Sequence, residues 1–154
     1  MGDNIDLIIF DWGRTLHDVD SGVIFDGVPE LISELSQKYT LAIVSLAKIE
    51  SPEIRRQSIE ASGISKYFKM IMVGGEDKNK MYEHVLEELN VIPKNVIVVD
   101  DRAFRGIAWG NSKGATTIWL RKGKFKDELP NQSTGEPTHI IYDIKEIMDV
   151  ISFK

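Results

Sequence analysis

The 154-residue sequence predicts one α/β domain, residues 1–154, with a mostly parallel sheet covered by helices on both faces, a three-layer α/β/α sandwich. Two observations predict it. Short apolar, β-branched runs recur along the chain and are continuous rather than alternating, as expected of strands buried on both faces. Longer segments with apolar residues at helical spacing lie between them. The length suits one domain of about 150 residues. A chain of that size buries roughly two-thirds of its unfolded surface, so its core requires no disulfide or structural metal.

In chain order, the expected strands are Leu7-Ile8-Ile9-Phe10, Leu41-Ala42-Ile43-Val44, Met70-Ile71-Met72-Val73, Val96-Ile97-Val98-Val99, Thr116-Thr117-Ile118-Trp119-Leu120 and His139-Ile140-Ile141-Tyr142. Pro29 opens the first helix, with Leu31, Ile32 and Leu35 facing inward. Ser51-Pro52-Glu53 reads as an N-cap followed by Pro at the first helical position, and Gly63 closes that helix. Met81, Val85, Leu86 and Leu89 form the stripe of a third helix, ended by Pro93. A helix is expected near 103–112, stopped by Gly114, and a last one is marked by Ile144, Ile147, Met148 and Ile151.

Composition excludes several classes of function. The chain has no cysteine, which removes thiol nucleophiles, zinc–cysteine sites and disulfide scaffolds together. Nineteen basic residues against 24 acidic ones leave a net charge of −5, which argues against nucleic acid or an anionic membrane as partner. No apolar run approaches the roughly 18 residues of a membrane span. Met1-Gly2-Asp3-Asn4-Ile5-Asp6 lacks the basic and apolar regions of a signal peptide, so a cytoplasmic protein is expected.

In alternating α/β folds, ligands bind beyond the carboxyl ends of the strands, where strand order reverses. Asp11-Trp12-Gly13-Arg14-Thr15-Leu16 follows the first strand, and Ser45 the second. Glu76, Asp77, Lys78 and Lys80 follow the third, Asp100 and Asp101 the fourth, and Arg121-Lys122-Gly123-Lys124 the fifth. Alone, each acid reads as a turn or cap residue and each lysine as a solvated helix start. Together they place three carboxylates, a hydroxyl and one or two lysines on one rim. Clustered carboxylates suit Mg²⁺. A carboxylate can also attack phosphorus, and a lysine with a hydroxyl can hold phosphoryl oxygens.

These residues resemble the haloacid dehalogenase superfamily. Leu7-Ile8-Ile9-Phe10-Asp11-Trp12-Gly13-Arg14-Thr15-Leu16 is similar to its first motif, and Leu41-Ala42-Ile43-Val44-Ser45 to its second. Lys78, with Lys80 as alternative, is placed like the lysine of the third motif, and Val98-Val99-Asp100-Asp101 resembles the fourth. The resemblance implies a Rossmann-like sheet with the first strand central, a nucleophilic aspartate, Mg²⁺ and phosphoester hydrolysis. By position, Asp11 would be nucleophile and metal ligand, and the Gly13 carbonyl a second ligand. Ser45 would bind the phosphoryl group, Lys78 would neutralise it, and Asp101 with Asp100 would hold the metal. The implied partner is a phosphorylated substrate, small molecule or macromolecule; oligomeric state is not implied.

Two positions depart from the family pattern. The second acid of the first motif, which protonates the leaving group in the phosphatases, is Gly13 here, and the next position, usually glycine, is Arg14. Gly13→Asp combined with Arg14→Gly is therefore expected to raise activity, with positive φ at Gly13 as the possible obstacle. His17 is the substitute proton carrier nearest in sequence. Only about 24 residues, Leu16 to Thr40, separate the first motif from the second strand. This resembles the capless branch, with a small flap at about 17–26. The same residues admit a catalytically weakened domain that binds phosphate and Mg²⁺ and acts by interaction. A response-regulator receiver shares the residue types but places its acidic pair first and its lysine late.

Overall fold

Every residue of β1 (Leu7–Phe10) is fully buried, as its unbroken apolar run requires of a strand between two helical layers. The computed structural model describes residues 4–151; Met1-Gly2-Asp3, part of the leader reading above, lies outside them. β1 pairs in parallel with β4 (Thr40–Leu46) on one side and with β6 (Val96–Asp100) on the other. β5 (Met70–Gly74) extends the first side, and β7 (Thr116–Leu120) and β8 (His139–Ile141) the second. The six-stranded order is β5-β4-β1-β6-β7-β8, every pair parallel, so the order in which strands are added reverses at β1.

Alternate side chains leave the sheet on opposite faces. Ile8 and Phe10 join Ile43, Val99 and Ile118 beneath α1 (Val28–Ser36), α2 (Pro52–Ala61) and α5 (Ile147–Ile151). Leu7 and Ile9 join Val44 and Val98 beneath α3 (Lys78–Leu89) and α4 (Ala108–Lys113). The three layers follow directly from that division.

The helix signals act as read, with adjustments. Ser51 Oγ accepts from Ile54 N at 3.2 Å, and Gly63 at φ 89° lies just past the end of α2. α3 stops at Asn90, left-handed at φ 55°, three residues before Pro93, which opens a 3₁₀ turn instead. The segment expected as one helix near 103–112 is a π-helical turn, Ala103–Ile107, running into α4. It widens because Gly106 N turns toward the Asp100 carboxylate at 2.8 Å. The last helix begins as a 3₁₀ turn, Ile144–Glu146, opened by a capping box between Asp143 and Glu146.

Between β1 and α1 the chain forms a two-stranded antiparallel hairpin, β2 (His17–Asp18) and β3 (Val23–Ile24), over the carboxyl ends of the main strands. Among the described residues no helix is long and apolar enough to cross a membrane.

Candidate active site

Adjacency of β1 and β6 brings the acids together. Phe10 lies opposite Val99, and Asp11 N donates to Val99 O at 3.0 Å, so Asp11 emerges beside Asp100 and Asp101. Carboxylate oxygens of the three lie within 4.8 Å of one another, and all three residues are buried.

Lys78 is the first residue of α3, behind an Asp77 carboxylate that accepts from Lys80 N at 3.2 Å. That cap turns Lys80 to solvent and Lys78 inward. The Lys78 ammonium donates to Asp11 Oδ1 at 3.0 Å and to Asp100 Oδ2 at 2.9 Å. Both oxygens of Asp100 are engaged, since Oδ1 accepts from Arg102 N at 3.0 Å and Oδ2 also from Gly106 N. Gly106 has no alternative here: a Cβ would stand 2.5 Å from both Asp100 Oδ2 and Tyr82 Oη. Thr15 Oγ1 donates to Asp11 Oδ2 at 3.3 Å.

The three acids titrate apart. Burial pushes Asp100 up, but Lys78 and the hydrogen bonds from Lys78, Arg102 and Gly106 outweigh it, and the carboxyl lies below its ordinary value. Burial raises Asp11; Lys78 offsets part of this and Asp100 adds to it. Burial, then the charges of Asp11 and Asp100, push Asp101 up to about 10. Asp101 Oδ2 is buried with no hydrogen-bond partner. Burial disfavours the Lys78 cation, yet Asp100 and Asp11 hold it well above the ordinary lysine range. An orphaned carboxylate oxygen amid excess negative charge is what an oxygen-liganded divalent cation would relieve, so the donor set fits Mg²⁺.

Ser45, fully buried in β4, accepts at Oγ from Arg55 Nη1 at 2.7 Å. Arg55 also pairs with Glu50 through Nε. A cleft of about 350 Å³ opens above these groups; Asp11, Gly13 and Asp101 line it, while Ser45, Lys78 and Asp100 lie behind its wall. Arg14, His17, Lys48, Arg55, Arg105 and Lys124 line it as well. Trp12 is core, 1% exposed, and stacks on His17 at 5.2 Å.

The structure revises the reading of the first motif. Gly13 does not have positive φ; Arg14 does, at 65°. The backbone keeps the conformation that suits glycine at position 14, although an arginine occupies it. Beyond its chain neighbours, a side chain at 13 would also meet Arg55 and Val19. A Cβ there would lie 3.7 Å from Arg55 Nη1 and 3.7 Å from Val19 Cγ1. In the Arg121–Lys126 stretch only Lys124 and Phe125 line the cleft; Arg121 faces Asp127, and Lys122 sits over the Phe25 ring.

Sequence reasoning missed Arg55. Its signal was present: a cation in the opening turn of a helix, where the macrodipole favours anions.

Residues 2–120 match the family model of the haloacid dehalogenase-like hydrolases. N-acylneuraminate-9-phosphatase of Mus musculus is 24% identical over 131 residues, covering 81% of this chain and 50% of that protein. The phosphorylated carbohydrates phosphatase of Thermotoga maritima is 28% identical over 129 residues, covering 77% and 57%. The chain thus spans about half the length of these relatives. A haloacid dehalogenase-like hydrolase of Streptococcus pneumoniae shares the fold with a TM-score of 0.76 at 14% identity, over the full length of both chains.

Proposed function

The chain belongs to the haloacid dehalogenase-like hydrolases, and from that premise we propose that it is a Mg²⁺-dependent phosphoester hydrolase acting through an aspartyl-phosphate on Asp11. The observation that carries the reading is the Asp11–Lys78–Asp100 bridge beside the unpartnered oxygen of Asp101. Asp11 opens onto the cleft while Lys78 fixes one of its oxygens, so the carboxylate is held in place to attack a phosphorus above it. Lys78 and Ser45, just behind the cleft wall, would neutralise and hold the phosphoryl oxygens, Lys78 from its bond to Asp11 and Ser45 from its bond with Arg55. Asp11, the Gly13 carbonyl and Asp101, with Asp100 setting Lys78 and adding charge, would hold Mg²⁺, which supplies charge neutralisation at the phosphoryl group when bound.

The relatives' names, phosphatases of an acylneuraminate and of carbohydrates, support a phosphorylated small molecule as substrate. Residues 1–154 would act as one capless domain, with the β2–β3 hairpin as a small flap over the cleft. Gly13 favours a second reading, a domain that holds phosphate and Mg²⁺ without turnover. A panel of phosphorylated small molecules assayed with and without Mg²⁺ separates the two: hydrolysis lost in Asp11→Asn supports the enzyme, and tight phosphate binding without hydrolysis supports the binder. Calorimetry should show Mg²⁺ affinity lost in Asp101→Ala; unchanged affinity would remove Asp101 from the metal site.

A further inference from the structure

No acid lining this cleft is free to protonate a leaving group: Asp11 is the proposed nucleophile, Asp101 belongs to the proposed metal site, and Glu50 pairs with Arg55. Gly13 supplies no side chain, and the space into which a residue at 13 would project is met by the Arg55 guanidinium, 3.7 Å from the Cβ position. Arg55 is held there by Ser45 and Glu50. A guanidinium remains protonated at any working pH, so it cannot hand a proton to an alkoxide. It can stabilise a negative charge that develops beside it. His17, which also lines the cleft, lies flat against Trp12 with 16° between the rings.

The surrounding charge points the same way. Arg14, Lys48, Arg105 and Lys124 line the cleft, and none forms an ion pair among the described residues, in a chain of net charge −5. Lys124, Arg14 and Arg102 gather around the Phe125 ring, at 5.4, 6.0 and 3.8 Å from its centre. The phosphoryl site already has Lys78, so these cations are in excess of what a monoester with a neutral leaving group needs.

Resting on the aspartyl-phosphate reading, we propose that the substrate is a phosphoric anhydride, whose leaving group departs as an anion against Arg55 and whose own charge is held by Arg14, Arg105 and Lys124. An Asp11 carboxylate oxygen forms a bond to phosphorus as the bond from phosphorus to the bridging oxygen breaks. The bridging oxygen keeps the electron pair and leaves as a phosphate or carboxylate anion, with no proton consumed. Water then adds to phosphorus, the bond to Asp11 breaks, the carboxylate is regenerated, and one proton passes to solvent. An alkyl monoester in this site forgoes the general-acid factor of about 10²–10⁴.

The test is a leaving-group series with Mg²⁺: pyrophosphate, acetyl phosphate, aryl phosphates of graded acidity, and glycerol phosphate. Expected is a kcat/KM for anhydrides at least about 10²-fold above that for glycerol phosphate. Arg55→Met should cut the anhydride rate by about 10²–10³-fold and steepen the dependence on leaving-group acidity, with Arg55→Lys intermediate. A purely structural role for Arg55 would lower all rates alike and leave that slope unchanged. Arg14→Gly with Arg105→Gln should raise KM for pyrophosphate more than for acetyl phosphate if a P–O–P anhydride is the source; equal increases identify the carboxylic anhydride. Calorimetry of pyrophosphate on Asp11→Asn protein, where turnover is blocked, should show binding weakened at least tenfold by Arg55→Met. Glycerol phosphate hydrolysed as fast as acetyl phosphate, with an unchanged slope in Arg55→Met, overturns the proposal while leaving the phosphatase reading intact. No hydrolysis and no phosphoryl group on Asp11 with any substrate overturns both.

Discussion

Lys78 Nζ stands 2.9 Å from Asp100 Oδ2, a buried ion pair that ties the first residue of α3 to the last residue of β6. Neither side chain is more than 5% exposed, so nearly all of its screening comes from protein. Removing one partner of such a pair leaves an uncompensated charge inside the molecule. Lys78→Met should therefore destabilise the metal-free protein by about 3–5 kcal/mol. Urea denaturation measures this; a loss of about 1 kcal/mol or less, the range of an exposed pair, would show that the bridge is solvated in solution.

The metal-free protein should lose stability as pH rises. Asp101 is pushed from its ordinary 3.8 up to about 10, so between those values the folded state keeps a proton that the unfolded state has released. Stability then falls with increasing pH across that window. It is fully present below 3.8 and lost by about 10. Asp101→Asn should flatten the profile, and saturating Mg²⁺, which favours the ionised carboxylates, should offset the loss. Melting temperatures from pH 5 to 9 test this; a wild-type Tm that rises over the range contradicts it.

Arg14 holds φ at 65°, where an L-residue is strained and glycine is not. Arg14→Gly should stabilise the fold by about 1 kcal/mol in denaturant titrations while weakening pyrophosphate binding. A destabilised variant would mean that the Arg14 contact with Phe125 outweighs the strain.

Gly13→Asp alone should not restore hydrolysis of alkyl phosphates, because the new carboxylate would meet the Arg55 guanidinium and pair with it. Gly13→Asp with Arg55→Leu frees the acid and should raise that rate by about 10²-fold relative to Arg55→Leu alone, the low end of general-acid contributions. A full gain in the single variant would show that Arg55 swings away in solution.

Gly106→Ala places a methyl group 2.5 Å from the Asp100 carboxylate and the Tyr82 hydroxyl. Overpacking of this kind costs about 1–3 kcal/mol. Here it also breaks the Gly106 N bond to Asp100, so a lower affinity for phosphate should accompany the lower Tm.

The strands were legible because a sheet buried on both faces writes itself as unbroken apolar runs, and Leu7–Phe10 is the clearest case. Asp11, Ser45, Lys78, Asp100 and Asp101 were legible because each lies near or beyond the carboxyl end of a strand, and a parallel sheet brings such ends to one rim. The hairpin strands are two residues each, too short to leave a periodic signal. The π turn is imposed by Asp100 from another element. Arg55 reaches Ser45 from α2, ten residues on, through packing of helix against sheet that no local pattern encodes. The left-handed backbone at Arg14 was hidden by its side chain, since arginine is not a residue one expects at positive φ.

The most direct measurement is rapid acid quench of the Mg²⁺-loaded protein during turnover of acetyl phosphate, followed by mass spectrometry of its peptides. Expected is a phosphoryl group on Asp11, absent when Mg²⁺ is withheld and absent in Asp11→Asn, which also fails to turn over. Turnover that persists in Asp11→Asn, or a phosphoryl group found on another residue, would contradict Asp11 as the nucleophile.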